Sequence, residues 1–335
     1  MKTKSIPFSW IERWGKRLGC GPYMGGAVEA RFVLEEARTE KEPLCALTAG
    51  YNGGIYNGPM FRRNYVESPE HGIPFLTSGS MLRADLSDLP LLRKKDAESA
   101  KLSYLRLTPG TTMISCSGTI GRMVYARPDM DGMWASQDIL KVVPNPDRIP
   151  SGYLYAFLSS KFGVPLVTSG TYGAIIQHIE AEHIADLPVP RLGEAIEKKA
   201  NELVDFAAAL RSEGSGLIRV ATGTLPRKLG LQPLTIGDVA RFSVASVRST
   251  TLKSRLDAPF HCQAAQEVES QLDRMPCSAE YLPAVLARYF KPPMFKRLWV
   301  QGPEHGRQFI SGSDAYRFEA EEVRYVSNKT PNFEE

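Results

Sequence analysis

The feature that most constrains this chain is an internal repeat. The stretch GPMFRRNYVESPEHG at residues 58–72 returns as PPMFKRLWVQGPEHG at residues 292–306, and nine of the fourteen positions from 59 to 72 are identical at a shift of 234 residues. A shorter match precedes it, between residues 17–23 and residues 255–260. Two matched blocks in the same order predict one structural unit that is used twice. A protein built in this way suits a ligand that has two similar halves.

The repeat also predicts the domain organisation. The first copy is followed by a long stretch that the second copy lacks, because the sequence ends soon after it with SNKTPNFEE. We therefore expect a first domain over 1–190, a helical spacer or dimerisation region over 191–232, and the truncated N-terminal part of a second, similar domain over 233–335. A chain of 335 residues can hold two cores, since single cores stop growing at about 250–300 residues.

Composition limits the class of protein. A hydrophobic content of 43% and a charged content of 23% are typical of a soluble globular protein. No apolar run approaches the ~18 residues of a membrane span, so we expect no membrane partner. The five cysteines are scattered without a CxxC pair, which favours a reducing cytoplasm over a disulfide framework or a cysteine-rich zinc site. The net charge of +4 permits an acidic partner without demonstrating one.

The first domain reads as strand-rich and the fold class as α+β. The segment 111–126 has short β-prone runs broken by glycines, which predicts a strand, a turn and a second strand. A further strand is predicted over 137–144, and apolar residues at helical spacing predict a helix over 152–163 that Gly163 and Pro165 close. A flexible loop with a short apolar run is expected over 169–179.

A long helix of the coiled-coil type is predicted over 193–213. Its apolar residues recur at alternating steps of four and three, as in a heptad seam. The seam residues are Ile196, Ala200, Leu203, Ala207 and Leu210. We expect this helix to end in the Gly/Ser-rich residues 212–216 and to pair with another helix. Packing on its own domain as an ordinary amphipathic helix is the alternative.

Candidate catalytic and metal-binding motifs are weak. The stretch GYNGGIYNG at 50–58 lacks the GK[ST] of a phosphate-binding loop and reads as a turn. Cys116 has no base nearby in sequence and reads as a buried strand residue. His178 and His183 do not have the spacing of zinc ligands on a helix, so we expect no metal site. The repeated His71 and His305 read first as a requirement of a shared turn, with a polar contact made by both copies as the alternative.

Basic and polar residues instead favour a nucleic-acid ligand. Lys and Arg hold phosphates, whereas Arg, Gln, Ser and Thr can read base edges. The basic pairs of the two repeat copies stand beside aromatic residues, although any single charge run can also be a solvated face. The candidate DNA-binding residues are Arg62, Arg63, Lys94, Lys95, Ser117, Thr119, Arg122, Thr171, Tyr172, Gln177, Lys296 and Arg297.

Three segments follow one another in the order Gly72-Ile73-Pro74-Phe75-Leu76, Ser117-Gly118-Thr119-Ile120-Gly121 and Leu187-Pro188-Val189-Pro190. Taken in this order, they resemble the specificity (S) subunits of type I restriction–modification systems. The first segment resembles the strand that enters the family's target recognition domain, the second its core signature, and the third the exit into its long helix. The resemblance covers 17–213 and the start of a second copy over 255–316, and the second core signature is absent from this sequence.

The resemblance implies a non-catalytic protein that recognises a bipartite sequence in double-stranded DNA. Each recognition domain would read one half-site, and the helices would set the gap and dock the DNA methyltransferase subunits. A restriction/translocase subunit would be a further partner, and self-association through the helix is open. This chain would bind no cofactor, whereas S-adenosylmethionine, ATP and Mg would belong to the partner subunits. The expected location is the cytoplasm, in association with the nucleoid.

Two rival functions stay open at this point. The first is a protein-interaction scaffold whose DNA-reading loops are vestigial, which the incomplete second copy favours. The second is an enzyme for a small molecule, which would need a cluster of groups with perturbed pKa values around Cys116 or His178.

Overall fold

The structure is a computed structural model in which the chain forms two compact units. The first unit comprises Met1–Ser215 with Gly312–Glu319, and the second comprises Gly216–Ser311 with Ala320–Glu335. The structure describes residues 3–13, 16, 18, 20–169, 178–232, 246–251, 257–258, 260–275, 280, 282–287, 296–312, 314–318 and 323–331.

Strands and helices occur mostly in separate runs along the described residues, which confirms the α+β class. The helices are α1 Phe8–Arg13, α2 Gly21–Met24, α3 Ala27–Glu36, α4 Lys94–Ala97, α5 Ser151–Leu158, α6 Gly163–Thr168, α7 Glu194–Leu229, α8 Gln263–Asp273 and α9 Leu282–Val285. The strands are β1 Lys41–Pro43, β2 Ile55–Tyr56, β3 Tyr65–Val66, β4 Gly72–Leu76, β5 Leu91–Arg93, β6 Thr112–Ser115, β7 Met123–Tyr125, β8 Trp134–Ala135, β9 Ile139–Val142, β10 Pro188–Pro190, β11 Trp299–Val300, β12 Gly306–Phe309 and β13 Arg324–Ser327. None of the helices described is long and apolar enough to cross a membrane.

The first unit is built around an antiparallel sheet with the order β2-β9-β6-β7. The predicted strand, turn and strand of 111–126 are confirmed as β6 and β7, and the strand predicted over 137–144 is confirmed as β9. Successive side chains of a strand point to opposite faces. Ile114 and Leu140 therefore join a cluster packed on α3, α5 and α6, whereas Met113 and Ile139 join a separate cluster on the other face. Both faces of β6 and β9 are therefore buried.

A second sheet of the first unit has the order β3-β5-β4-β8. Strand β8 joins it in parallel, with Phe75 opposite Trp134 and Leu76 opposite Ala135. The Trp134 indole N–H lies 3.0 Å from the Ala97 carbonyl oxygen and 2.9 Å from that of Leu102. Strand β8 thereby joins β4, at the end of the repeated segment, to the chain around Ala97 and Leu102.

The repeat read from the sequence is also a repeat of structure. Strands β11, β13 and β12 form a sheet in the order that β3, β5 and β4 have in the first copy. The pairs Tyr65–Leu92 and Gly72–Arg93 return as Trp299–Val326 and Gly306–Ser327. Each of these positions is shifted by the same 234 residues as the sequence. The prediction that the two copies share a local fold is confirmed.

The repeated PEHG motif ends at a tightly packed glycine. A Cβ atom on Gly72 would lie 2.8 Å from Cγ2 of Val66, and a Cβ atom on Gly306 would lie 2.8 Å from Cγ2 of Val300. The preceding histidine has a backbone role in both copies, because the carbonyl oxygens of His71 and His305 accept the N–H groups of Lys94 and Asn328. These contacts support the interpretation that the repeated turn is a requirement of the fold.

The glycine-rich stretch 50–58 forms a turn, as predicted. Asn52, Gly53 and Gly54 have φ angles of 47°, 72° and 86°, in the left-handed region. A Cβ atom on Gly54 would lie 2.6 Å from the backbone of Ala49, so only glycine fits there. Strand β2 follows the turn at once, where a phosphate-binding loop would lead into a helix.

Two predicted helix ends are wrong. Helix α5 ends at Leu158, and Gly163 and Pro165 begin α6 instead of closing α5. Proline fits in a first helical turn because the N–H it lacks has no acceptor there. The other error is at 212–216, because α7 continues through these residues to Leu229.

Tertiary contacts explain why α7 continues past 212–216. The hydroxyl of Ser212 donates to Asp129 over 2.7 Å, and Ser215 is buried. A Cβ atom on Gly214 would lie 3.2 Å from the ring of Phe318, so the glycine permits close packing. A glycine inside a helix costs about 1 kcal/mol. Packing of this kind can offset such a cost.

Candidate nucleic-acid interface

The basic pair of the first repeat copy divides into one solvent-facing and one stacked residue. Arg62 is exposed. The guanidinium of Arg63 lies 5.4 Å from the Phe75 ring centroid, donates to Oε1 of Gln137 over 2.9 Å and lies 3.4 Å from Oδ2 of Asp138. The first residue of the pair is therefore placed to meet a ligand, whereas the second holds the loop to the domain.

The second copy repeats the stacking, although both of its cations are exposed. Lys296 and Arg297 are exposed, and the guanidinium of Arg297 lies 4.8 Å from the Phe309 ring centroid. The aromatic residues beside the basic pairs also match, with Tyr65 48% exposed and Trp299 47% exposed. One exposed cation and one half-exposed aromatic ring thus recur at equivalent positions.

Lys94 and Lys95 are exposed in the short helix α4. The Nζ atom of Lys94 lies 3.9 Å from Oε1 of Glu98. The neighbouring Arg93 is engaged in a pair of hydrogen bonds with Asp96, at 2.9 and 2.7 Å. Its guanidinium lowers the pKa of the Asp96 carboxyl from the usual range. Part of this basic stretch is therefore neutralised within the domain.

The turn with the predicted core signature presents its polar residues outward. The hydroxyl of buried Ser115 donates to the Thr119 carbonyl oxygen over 2.6 Å and accepts the Arg122 N–H over 3.0 Å, which closes the turn. Ser117 is half-buried and Thr119 is exposed. Burial lowers the pKa of the half-buried Arg122 guanidinium, and the charge of Arg317 lowers it further. Thr171, Tyr172 and Gln177 lie outside the described residues.

The loop 136–138 joins the basic pair of the first copy to this turn. The Cys116 N–H donates to the Asp138 carbonyl oxygen over 3.0 Å, and the Cys116 thiol lies 3.4 Å from the Gln137 carbonyl oxygen. Arg63 reaches the side chains of the same two residues. Ser117 also forms a bridge with His178. Arg63, Ser117 and His178 are thus brought to one end of the β6–β9 pair.

Three residues at this end were missed from the sequence. Gln137 and Asp138 stand in the connecting loop, and Lys141 is fully buried below it. The Nζ atom of Lys141 lies 3.0, 3.2 and 3.5 Å from the carbonyl oxygens of Ile139, Ser136 and Ala135. Burial lowers the Lys141 pKa to about 7. A lysine inside the apolar run ILKVV was the available signal, since a lysine is rarely buried without partners.

The groups considered for catalysis have structural roles. Burial raises the pKa of the Cys116 thiol to about 12, so the thiol is protonated at neutral pH. The His183 Nδ1 atom accepts the Glu180 N–H over 2.9 Å in a capping turn, and Glu180 accepts a hydrogen bond from Asn57. Within the described residues, no group of three or more His, Cys, Asp or Glu side chains is placed to hold a metal ion.

The long helix α7 contacts its own unit through a mainly polar face. Asn201 accepts the Gly152 N–H over 2.7 Å, and Asp205 accepts the Tyr125 hydroxyl over 2.7 Å. At the start of the helix, Arg191 makes two hydrogen bonds to the buried carboxylate of Glu197, at 2.8 and 3.0 Å. These contacts hold the first half of α7 to the domain.

The three large residues of the predicted seam lie on another face of α7 and are turned to solvent, whereas Ala200 packs against a core cluster of the first unit. Ile196, Leu203 and Leu210 are 57%, 57% and 51% exposed, and Leu217 continues the seven-residue spacing at 63%. Ala200 and Ala207 are half-buried. We call Ile196, Leu203, Leu210 and Leu217 the apolar stripe. The alternative interpretation was that this helix packs on its own domain. The helix does so through side chains that do not belong to the apolar stripe.

Comparison with known proteins gives matches among solved structures alone. No protein-family model matches the chain, and no curated protein matches it. The chain is similar to the S subunit of a type I restriction–modification system from M. genitalium, with 14% identity, a TM-score of 0.35, and coverage of 58% of this chain and 44% of that chain. It is also similar to the HsdS subunit from Thermoanaerobacter tengcongensis, with 12% identity, a TM-score of 0.35, and coverage of 63% and 51%. The chain spans about half the length of each, and both belong to the family that the sequence motifs resemble.

Proposed function

We propose that this chain recognises a bipartite sequence in double-stranded DNA as the non-catalytic specificity subunit of a type I restriction–modification complex. The observation that carries the proposal is the doubled three-stranded sheet, in which Arg62 and Lys296 face solvent at equivalent positions. Two like surfaces with the same exposed cation suit two phosphate backbones of like geometry, one at each half-site.

Base reading in the first copy is assigned to the polar end of the β6–β9 pair. Ser117, Thr119 and Gln137 carry hydroxyl or amide groups that can bond base edges in the major groove. Thr171, Tyr172 and Gln177 belong to the same proposed surface on sequence grounds. Lys94, Lys95 and Arg122 are assigned to phosphate contacts.

The partners are assigned through α7. An apolar stripe at seven-residue spacing suits a partner helix, and the polar face on the opposite side is already engaged with the first unit. We assign the stripe to helix pairing that sets the gap between half-sites and docks the DNA methyltransferase subunits, with a restriction/translocase subunit as a further partner. S-adenosylmethionine, ATP and Mg would be bound in those subunits, in the cytoplasm.

The test is selection of the full chain against a random duplex library, followed by sequencing of the bound pool. We expect enrichment of two short motifs separated by a gap of constant length. Binding to the selected duplex should weaken as salt rises, because phosphate contacts release counterions. A pool without an enriched motif would reject sequence-specific recognition.

Two single variants test the assignment to half-sites. Arg62→Ala and Lys296→Ala should each lower the slope of log K against log salt by about one, since each removes one phosphate contact. Glu67→Ala, at another exposed position of the first copy, is the matched control and should leave the slope unchanged. Equal slopes for the unchanged chain and all three variants would show that neither Arg62 nor Lys296 contacts a phosphate.

A protein-interaction scaffold is the second candidate, and the exposed apolar stripe favours it. The scaffold predicts tight binding of a methyltransferase subunit without enrichment of any duplex. Measuring both properties on the same preparation separates the two functions.

A further inference from the structure

The glycine-rich turn 50–58 carries an exposed tyrosine at the end of an aromatic stack. Tyr51 is 52% exposed, and its ring lies parallel to that of Tyr104, with the two centroids 3.8 Å apart. The centroid of the buried Tyr56 ring lies 5.2 Å from that of Tyr51 and 5.7 Å from that of Tyr104. Because Tyr56 is nearly equidistant from both rings, it stands beside the stack. The face of Tyr51 that turns away from Tyr104 is therefore covered by neither ring.

The backbone on both sides of Tyr51 has conformations that favour glycine. Gly50 has a φ angle of 109°, and Asn52 and Gly53 have φ angles of 47° and 72°. The Thr48 hydroxyl donates to the Gly53 carbonyl oxygen over 2.6 Å and fixes the turn. A residue other than glycine is strained in the left-handed region, and strained residues cluster at sites that contact ligands. The turn thus holds Tyr51 in an exposed position at a cost in backbone strain at Asn52.

The aromatic stack adjoins the surface to which base reading is assigned. A Cβ atom on Gly58 would lie 3.2 Å from Cα of Gln137 and 3.2 Å from Cδ1 of Leu105, the residue that follows Tyr104. Tyr56, which contacts both rings of the stack, stands two residues before Gly58. The short segment from Tyr56 to Gly58 therefore contacts the stack at one end and the loop that carries Gln137 at the other.

We propose that the outer face of Tyr51 reads the methyl group of a thymine in the half-site bound by the first unit. The inference rests on the proposed function, because it needs a duplex placed on this surface. The major groove presents hydrogen-bonding groups on every base and one apolar group, the C5-methyl of thymine. A flat aromatic face beside polar base-reading side chains therefore fits thymine and none of the other three bases.

The test is selection of the full chain on two random duplex libraries, one made with thymine and one with uracil in place of every thymine. Uracil lacks only the C5-methyl group, so it keeps the hydrogen-bonding groups of thymine. With the thymine library, we expect Tyr51→Ala to lose the preference for one A·T pair of the enriched motif and to keep the other positions, which also shows that the variant is folded. With the uracil library, the unchanged chain should lose the preference for the same pair.

Titration of the selected duplex measures the contact itself. Uracil at the position of that thymine should weaken binding by the unchanged chain about fourfold, which corresponds to one methyl group removed from water, and should leave binding by Tyr51→Ala unchanged. Tyr51→Phe keeps the ring face and should respond to uracil as the unchanged chain does. Phe8→Ala, at an aromatic position of α1 that is 70% exposed, is the matched control and should also respond as the unchanged chain does.

The outcomes distinguish this inference from the proposed function. An enriched motif with the same response to uracil in the unchanged chain and in Tyr51→Ala would overturn the inference and leave sequence-specific recognition in place. Loss of the A·T preference in Tyr51→Phe would assign the contact to the hydroxyl and also overturn reading by the ring face. Libraries without any enriched motif would overturn both the proposed function and this inference.

Discussion

The guanidinium of Arg63 lies 5.4 Å from the ring centroid of Phe75, and the equivalent Arg297 lies 4.8 Å from that of Phe309. The contact joins the most basic part of the repeated motif to the strand that follows it. An arginine over an aromatic ring is attracted by the negative face of the ring. In the first copy the stacked Arg63 is half-buried, whereas its neighbour Arg62 is exposed to solvent.

Arg63→Ala should therefore reduce stability more than Arg62→Ala. We expect a loss of about 1–2 kcal/mol in the free energy of unfolding for Arg63→Ala, from the cation–π contact and the hydrogen bond to Gln137. Arg62→Ala should change it by less than about 0.5 kcal/mol, as exposed substitutions generally do. Urea denaturation of both variants measures the difference, and equal losses would contradict the structural role of Arg63.

Alanine at the repeated glycines should destabilise both copies. A Cβ atom on Gly72 would lie 2.5 Å from Cβ of Leu91, and one on Gly306 would lie 2.2 Å from the Val326 carbonyl oxygen. Overpacking of this kind costs about 1–3 kcal/mol. Gly216→Ala is the control, because no atom lies within 4 Å of its added Cβ in α7. It should stabilise the chain by about 0.5–1 kcal/mol in thermal or urea unfolding.

Substitution in the apolar stripe should weaken association with a partner helix and leave the stability of the fold nearly unchanged. Leu203 is 57% exposed, so Leu203→Glu should change the free energy of unfolding by less than about 0.5 kcal/mol. Its charge should prevent helix pairing, measured by sedimentation of the chain with the methyltransferase subunit proposed as its partner. Asn201→Ala is the counterpart on the engaged face and should cost about 1–3 kcal/mol, since the buried Gly152 N–H loses its acceptor. Intact association of Leu203→Glu would exclude the stripe from the interface.

The buried Lys141 should make stability depend on pH. Its pKa is lowered to about 7 by burial, whereas a lysine in the unfolded chain has a pKa of about 10.4. Between these values the unfolded state holds a proton that the folded state has released, so the free energy of unfolding should rise as pH increases from about 7 towards 10. Lys141→Met should flatten this rise in urea titrations at pH 6, 7.5 and 9. The same pH dependence in both proteins would contradict a neutral Lys141 in the folded state above pH 7.

Local pattern predicted much of the fold because it depends on neighbours in sequence. The β-prone runs of 111–126 became β6 and β7, and the repeat of 59–72 became the same sheet with the same register. The helix ends were wrong because distant contacts decided them. Ser212 finds Asp129 and Gly214 lies against Phe318, so α7 continues where glycine and serine alone would end it.

The candidate site was predicted only in part, because it too depends on contacts between segments that are distant in sequence. Charge and position in the repeat identified both basic pairs, but which member is exposed depends on Phe75, Gln137 and Asp138, which are remote in sequence. Lys141 was missed because its partners are carbonyl oxygens made available by the bend of the chain at 135–139.

By itself the sequence determined that one structural unit is used twice and that a helix carries apolar residues at seven-residue spacing. Only the tertiary structure decided which residue of each basic pair stacks on an aromatic ring and which face of α7 the first unit engages. The physical reason is that periodicity and identity are properties of the chain alone, whereas burial and hydrogen-bond partners exist only once distant segments meet.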